Sequence, residues 1–305
     1  MCCLFGFIDY VGALSVRQKN YLIRELSIAS EARGTDATGI AYNTSRGLQV
    51  YKRPLAAHRL HLRIPAEARA VMGHTRMTTQ GSAKKNYNNH PFFGHVKEES
   101  FALAHNGVLW NDLELRHAKH LPRTKVQTDS YIAVQLLEQK KSLDFDSLRY
   151  MAEQVEGSFS FTVLDEQSAL WIVKGDSPLS IAYFPERGVY VYASTVEILN
   201  KALTRCGKQL GHRRMVEVEM GDLLKIDRRG HITRATFDTS KFCRPSWDYW
   251  GASLYAEPPK TEDEHIRLLK SVAKAFGFTG EMIDRLGGRG FSTDDIEEIL
   301  YEGTW

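Results

Sequence analysis

The sequence has few of the features that mark secreted, membrane-bound or nucleic-acid-binding proteins. It has 4 cysteines in 305 residues, and none forms a Cys-x-x-Cys pair, which argues against a structural zinc site. No uninterrupted apolar run reaches about 18 residues, the length that a membrane-spanning helix needs. The 40 basic and 37 acidic residues leave a net charge of only +3, too balanced to indicate a nucleic-acid or membrane partner. We therefore expect a cytoplasmic protein with reduced thiols.

The composition is that of an ordinary globular protein. The chain is 43% hydrophobic and 25% charged, so it can bury a sizeable core. Strand-like segments such as 4–9, 70–76 and 101–105 occur in runs, whereas helical patterns such as Ser15 to about Arg33 are clustered. This order favours antiparallel sheets with segregated helices over alternating βαβ units.

The remaining segments complete this prediction. Further strands are predicted at 40–43, 48–53, 158–165, 169–174, 180–184, 189–193, 216–218, 222–227 and 231–236, and helices at 129–140, 144–155 and 196–205. Residues 77–95 are rich in Thr, Gly, Ser, Asn and Lys, which predicts a long loop. The dipeptide Asn106-Gly107 predicts a turn.

The chain changes character near residue 241. Residues 241–260 are rich in aromatics and proline and are interpreted as an extended linker, and residues 261–305 show helical spacing. We expect a main domain at 2–240, the linker at 241–260 and a small helical tail at 261–305. The tail either docks on its own domain or on a second copy, or it binds a partner.

The second residue is a candidate nucleophile. Removal of the initiator methionine would leave Cys2 at the N-terminus, where a thiol and a free α-amine belong to one residue. An α-amine has a pKa of about 8, so a neutral fraction exists at physiological pH and can act as a base. Alone this signal is weak, because many proteins begin with Met-Cys.

A set of short motifs strengthens the interpretation of Cys2. They are MCCLFG at the start, RGTDATG at 33–39, GHTRMTTQG at 73–81, NHPF at 89–92, AHNG at 104–107 and TDS at 128–130. In this order they resemble the class II glutamine amidotransferases, which are N-terminal-nucleophile (Ntn) hydrolases, and weaker similarity continues to about residue 236. The resemblance implies an α+β fold, the Ntn-hydrolase four-layer α/β/β/α sandwich of two antiparallel sheets.

The resemblance also implies a role for individual residues. Cleaving a glutamine side-chain amide needs a nucleophile, a base, an oxyanion hole and charged partners for both ends of glutamine. The implied catalytic residues are Cys2, Asn106 and Gly107, and the implied substrate-binding residues are Arg76, Thr79, His105 and Asp129. Arg76 would bind the α-carboxylate and Asp129 the ammonium group. A papain-like Cys2–His105 pair is an alternative source of the base.

Metals and cofactors are not expected. His74, His90 and His105 show no metal-ligand spacing, and we interpret them as residues that hold loops by hydrogen bonds. No Gly-rich phosphate loop of the P-loop or dinucleotide type is present.

Some positions depart from the family pattern. Cys3 stands where glycine is common, and Met77-Thr78 and Gln80 stand where Trp-Ala and His are common. None of these removes a residue assigned to chemistry. They do alter the segment expected to close over glutamine, so affinity and specificity are expected to differ.

The leading expectation is glutamine hydrolysis through a Cys2 thioester, releasing glutamate and ammonia. Only about 70 residues follow the region of resemblance, too few for a sugar-isomerase, phosphoribosyltransferase or ATP-dependent synthetase domain. Ammonia would then pass to a separate synthase or acceptor protein. Two alternatives stay open: an amidohydrolase for another γ-glutamyl compound, and a non-catalytic glutamine-binding sensor or scaffold. The sequence leaves the oligomeric state open, a homo-oligomer included.

Overall fold

The chain forms two compact units, Met1–Lys241 and Phe242–Trp305. The computed structural model describes residues 2–207, 210–240, 242, 266, 269–270, 273, 279–293, 296 and 299. Almost all of the predicted linker at 241–260 lies outside these residues, as does most of the predicted tail. The three-part division of the chain stays a prediction.

The first unit alternates groups of strands with a few helices. The strands are β1 (Cys3–Asp9), β2 (Ala37–Thr44), β3 (Gly47–Arg53), β4 (Ala70–Arg76), β5 (Phe92–His95), β6 (Ser100–Leu109), β7 (Gly157–Asp165), β8 (Leu170–Lys174), β9 (Ser180–Phe184), β10 (Val189–Ala193), β11 (Arg214–Val216), β12 (Asp222–Ile226) and β13 (Ile232–Thr236). The helices are α1 (Val16–Ser30), α2 (Asp112–Ala118), α3 (Tyr131–Lys140), α4 (Phe145–Gln154) and α5 (Val196–Cys206). No helix in the described ranges is long and apolar enough to cross a membrane.

The strands form two antiparallel sheets that face each other. Sheet 1 has the order β11-β9-β10-β1-β4-β2-β3, and sheet 2 has the order β13-β12-β8-β7-β6-β5. Helices α1 and α5 contact sheet 1, and α3 and α4 contact sheet 2. The predicted α+β four-layer α/β/β/α sandwich is confirmed.

The central strand of sheet 1 shows why the layers stack. All seven residues of β1 are buried, because the strand has a core on each face. Phe5 and Phe7 point to the helices, whereas Leu4 and Ile8 point to sheet 2. Alternation of side chains along a strand thus feeds two cores, and each buried aromatic contributes roughly 2–3 kcal/mol.

Helix α1 begins at a defined cap and carries a buried charge. The Ser15 side chain accepts the Gln18 N–H, and the Gln18 side chain accepts the Ser15 N–H, which forms a capping box. Lys19, one turn on, is buried and lies 3.5 Å from Asp9 of β1. Its ammonium group also donates to the carbonyl of Ala68 at 2.7 Å. The ion pair and these bonds satisfy a charge that would otherwise be costly to bury.

Two local predictions were wrong, and a third was displaced by two residues. Asn106-Gly107 is not a turn, because β6 continues through both residues in register with β7. The predicted loop at 77–95 contains β5 and a short 3-10 helix, Asn86–Asn88. The strand predicted at 216–218 lies at Arg214–Val216, and α2 was not predicted. At Asn106-Gly107, pairing with β7 about 50 residues later, which local patterns do not contain, decides the structure.

In the second unit, residues Gly280–Gly288 form helix α6. The Thr279 side chain accepts the Met282 N–H and so caps its start. Ile283 and Leu286 of this helix pack in a small apolar core with other buried residues of the same unit, which are Leu269, Ala273 and Ile296.

Candidate active site

The ends of three strands bring the candidate catalytic residues together. Leu4 faces sheet 2, so the period of two along a strand directs Cys2 the same way. The same alternation directs Arg76 of β4 and Asn106 of β6 into the layer between the sheets. The site therefore lies where the inter-sheet layer reaches the ends of these strands.

The Cys2 thiol lies half-buried at the start of β1. Its Sγ donates to the carbonyl of Met77 at 3.5 Å. Burial raises the pKa of the thiol above its ordinary value, the charge of Arg76 opposes this rise, and Asp129 adds to it. The thiol is therefore protonated at neutral pH, and attack on a carbonyl requires a base to take its proton.

Arg33 joins the two sheets at the site. Its Nε donates to the carbonyl of Cys2 at 2.8 Å, and its Nη2 lies 3.5 Å from the side-chain oxygen of Asn106. The neighbouring Gly34 fits because a Cβ there would lie 2.4 Å from the carbonyl carbon of Arg76. The motif at 33–39 includes Arg33, but an arginine before a turn has no local sequence feature that predicts a contact with Cys2.

The Asn106 side chain is held at both ends. Arg33 faces its oxygen, and its Nδ2 lies 3.4 Å from the Ser194 hydroxyl oxygen. The same hydroxyl oxygen accepts the N–H of Leu4 at 2.8 Å. The amide is thus fixed between β1 and β6, with its second N–H still available to a ligand.

Gly107 directs its backbone N–H away from β7. Successive N–H groups along a strand point to opposite edges, and the Trp110 N–H donates to Glu156 on the β7 side at 3.0 Å. The Gly107 N–H consequently lies on the other edge, together with that of Leu109. A side chain at 107 is excluded, because its Cβ would lie 1.9 Å from the carbonyl oxygen of Ser158 and its φ is +141°.

Asp129 lies beside this edge. Its Oδ2 accepts the Leu109 N–H at 2.6 Å, and its Oδ1 accepts the Ser130 hydroxyl at 3.2 Å. Gly107 and Leu109 are two residues apart along the strand, which is about 6.8 Å. The carboxylate and the Gly107 N–H are therefore close enough for one glutamine molecule to contact both. Its remaining lone pairs are available to an ammonium group.

Arg76 is buried and engaged with the segment that follows β4. Its Nη1 donates to the side-chain oxygen of Asn89 at 2.7 Å, and its Nη2 donates to the carbonyls of Gln80 and Gly81. A ligand carboxylate would replace the two carbonyls as the acceptor. Gln80 also accepts the backbone N–H of Asp129 at 2.8 Å, so this segment links the two charged candidate residues.

The structure separates one predicted site residue, His105, from this group. The His105 ring lies on the face of β6 opposite to Asn106, where it stacks on Phe161 at 4.6 Å and its Nδ1 lies 2.8 Å from the Ser130 hydroxyl. Thr79 is exposed. The arrangement gives no support to a Cys2–His105 pair, and the roles assigned to Thr79 and His105 stay predictions.

Two further histidines lie beside the site, but they do not hold its loops by hydrogen bonds: His74 bonds to strand β6, and neither ring nitrogen of His90 has a hydrogen-bond partner among the described residues. The His74 Nε2 lies 2.9 Å from the His105 carbonyl, and its ring lies 4.2 Å from the ring of His90. Burial lowers the pKa of His74 to about 3 and lowers that of His90 well below its usual value. Both rings are therefore neutral at pH 7. The described residues contain no group of three His, Cys, Asp or Glu side chains that would hold a metal ion.

Comparison of the sequence with known families and proteins agrees with this geometry. Residues 74–201 match the model of a family described as "Glutamine amidotransferase domain". The chain is 30% identical over 238 residues to glutamine–fructose-6-phosphate aminotransferase (isomerizing) of Thermus thermophilus, covering 75% of this chain and 36% of that protein. It is 33% identical over 192 residues to the Lactococcus lactis protein of the same name, covering 59% of this chain and 30% of that protein. The chain thus spans about a third of the length of these relatives.

A comparison of structures gives the same fold. A structure of glutamine phosphoribosylpyrophosphate amidotransferase from B. subtilis, complexed with ADP and GMP, superposes with a TM-score of 0.59 at 20% identity. The match covers 90% of this chain and 57% of that chain. At this identity the likeness concerns the fold alone.

Proposed function

This chain contains a class II glutamine amidotransferase domain, and from that premise we propose that it cleaves the side-chain amide of glutamine with Cys2 as nucleophile. The observation that carries the proposal is the pair of Arg33 contacts, with the Cys2 carbonyl at 2.8 Å and the Asn106 side-chain oxygen at 3.5 Å. Through these contacts Cys2 and Asn106, from two different sheets, lie beside the same guanidinium group.

The first half of the reaction forms a thioester. With Met1 removed, the α-amine of Cys2 takes the thiol proton, and Sγ attacks the side-chain carbonyl carbon of glutamine. The oxyanion that develops accepts hydrogen bonds from the Asn106 side chain and the Gly107 N–H. The C–N bond then breaks, and the departing ammonia takes the proton held by the α-amine.

The second half returns the enzyme to its starting state. Water attacks the thioester carbonyl with its proton passing to the α-amine, and the same two donors stabilise the second oxyanion. The C–S bond breaks, the thiol regains a proton, and glutamate leaves. Throughout, Arg76 binds the α-carboxylate and Asp129 the ammonium group, so the substrate stays oriented.

The fate of the ammonia is also part of the proposal. The matched relatives are aminotransferases by name, and this chain spans about a third of their length. We infer that ammonia is delivered to a synthase or acceptor partner.

The test is intact mass spectrometry before and after treatment with 6-diazo-5-oxo-norleucine, a glutamine analogue that alkylates the nucleophile. The expected result is a mass without Met1 and one adduct, mapped by peptide digestion to Cys2. Cys2→Ser is the matched variant and should give no adduct and no glutaminase activity. Full glutaminase activity in Cys2→Ser would overturn the mechanism.

Two other functions share the same site and separate by simple assays. An amidohydrolase for another γ-glutamyl compound would release product faster from that compound than from glutamine. A sensor or scaffold would bind glutamine without turnover in a chain whose Met1 has been removed. The proposal predicts turnover of glutamine and a lower rate with γ-glutamyl peptides.

A further inference from the structure

Lys52 on strand β3 lies close to the site without belonging to it. Its ammonium group donates to the carbonyls of Asn89 and Pro91, the latter at 2.9 Å, and lies 5.0 Å from the centre of the Phe92 ring. Its own carbonyl accepts the Asn86 side chain at 2.9 Å. Lys52 therefore bonds to both sides of the turn formed by residues 86–92 and connects this turn to sheet 1.

This segment reaches Arg76 through one side chain. The Asn89 side-chain oxygen accepts the Arg76 guanidinium at 2.7 Å, while its Nδ2 donates to the Ala83 carbonyl at 2.8 Å. Asn89 thus connects, within a single residue, the backbone carbonyl bound by Lys52 and the oxygen bound by Arg76. A shift of its backbone moves the acceptor that holds the guanidinium.

The turn has little room to move on its inner side. A Cβ on Gly39 of β2 would lie 2.2 Å from the carbonyl oxygen of His90, so the turn lies directly on the sheet. Lys52, opposite Gly39 in the ladder, bonds the turn from the outer side. The turn is therefore held between backbone below and an ammonium group beside it.

We propose that Lys52 is a positioning residue that sets the Arg76 guanidinium for the α-carboxylate of the substrate, acting through Asn89. The proposal rests on the proposed function and deepens it, because it assigns the control of substrate affinity at the same site. Loss of the ammonium group loosens the turn, and Arg76 then binds the carboxylate with poorer geometry.

The charge of Lys52 adds a pH dependence. Burial and the charge of Arg76 lower the pKa of Lys52 to about 8. The titratable groups facing it are Arg76 on β4, His74 on the same strand and His90 in the turn, and both histidines are neutral at this pH. Above pH 8 the amine is neutral and its bonds to the turn lose their charge assistance, so affinity for the substrate falls.

The experiment measures glutamine binding by calorimetry in the non-reacting Cys2→Ala protein. Adding Lys52→Met should weaken binding between about tenfold and a hundredfold. The matched control is Lys84→Met, which removes an exposed lysine from the loop that leads to Asn89 and should leave binding unchanged. Thermal unfolding of each variant checks that the fold is retained.

Two further arms separate positioning from a general loss of structure. In a protein that also carries Arg76→Gln, Lys52→Met should cost little more, because the group that it positions is gone. Lys52→Arg keeps its charge at all accessible pH values, so the loss of affinity near pH 8 should disappear. Titration of the ligand itself is common to both proteins and cancels.

The outcomes are distinguishable. Equal binding by the Lys52→Met and Lys84→Met proteins would overturn the positioning role, as would additive losses with Arg76→Gln. Absence of any glutamine binding in the Cys2→Ala protein would instead count against the proposed function. An unchanged pH profile in Lys52→Arg would overturn the pH dependence.

Discussion

At the scale of single residues, Arg33 is the contact on which the proposed chemistry depends most. It orients the Cys2 carbonyl and the Asn106 side chain at 2.8 and 3.5 Å and carries no assigned contact with substrate. Hydrogen bonds to a charged group contribute roughly 1.5–3 kcal/mol. In the proposed mechanism, Arg33 therefore acts by keeping Cys2 and Asn106 in position.

Arg33→Met should lower kcat for glutamine by about tenfold to a hundredfold, since that free energy is lost from the transition state. The KM should change little, because Arg76 and Asp129 are untouched. A glutamate-release assay measures both constants. Arg24→Met, which removes a side chain that is 61% exposed, is the control, and an equal loss of kcat in both variants would contradict the role of Arg33.

Gly107→Ala should abolish activity and destabilise the fold. Its Cβ would lie 1.9 Å from the Ser158 carbonyl oxygen, and φ is +141°, so overpacking and backbone strain add to about 3 kcal/mol or more. Gly47→Ala is the control: φ is +91° there, but a Cβ meets nothing within 4 Å. Urea unfolding should show that Gly47→Ala lowers the free energy of unfolding by about 1 kcal/mol. Equal losses in the two variants would contradict the steric argument.

At the scale of elements, the histidines that join β4, β6 and the turn at 90–91 make the sandwich sensitive to acid. Burial lowers the pKa of His74 to about 3 and lowers those of His90 and His105. The folded chain keeps these rings neutral below pH 6.5, whereas the unfolded chain binds protons there. Stability is therefore present above pH 6.5 and is lost as the pH falls toward 3.

The free energy of unfolding should fall with decreasing pH by up to about 1.4 kcal/mol per pH unit for each buried histidine. Urea unfolding at pH 5, 6 and 7 measures the free energy of unfolding. His74→Gln should reduce the slope, while His231→Gln, at an exposed hairpin position, should leave it unchanged. A slope that is the same in all three proteins would contradict the assignment.

The elements also show what the sequence predicts well. β1 and β4 follow from short, largely apolar runs, and α1 follows from helical spacing and the cap at Ser15, because their own residues carry the signal. The strand through Asn106-Gly107 does not follow, since the local preference of this dipeptide for a turn is outweighed by its pairing with β7. The motifs predict that Cys2 and Asn106 share a site, and in the structure Arg33 contacts both residues.

The residues that support the site were harder to predict. Arg33, Ser194 and Lys52 lie far from their partners in the sequence. Their polar contacts depend on how two sheets and a turn pack together. Local patterns report which residues a strand contains and which face each occupies, but not which side chain from another strand it meets.

At the scale of the whole molecule, the first unit has its own cores on both faces of sheet 1. A chain that ends after Ser240 should therefore fold and hydrolyse glutamine with kcat and KM within about twofold of the full chain. Circular dichroism and the glutamate assay check this. A truncated chain that unfolds, or that loses glutamine hydrolysis while folded, would show that the C-terminal residues are needed for the site.

The site is assembled from both sheets: Cys2 and Arg76 come from one, and Asn106 and Gly107 from the other. The geometry of the site consequently depends on the relative position of the two sheets. A relative shift of the two sheets by about 0.5 Å would misalign the proposed nucleophile and oxyanion donors while every strand stays paired. The rate of glutamine turnover should therefore fall under mild heat or hydrostatic pressure well before spectroscopy detects unfolding. Turnover would then be the more sensitive measure of a change in packing between the sheets.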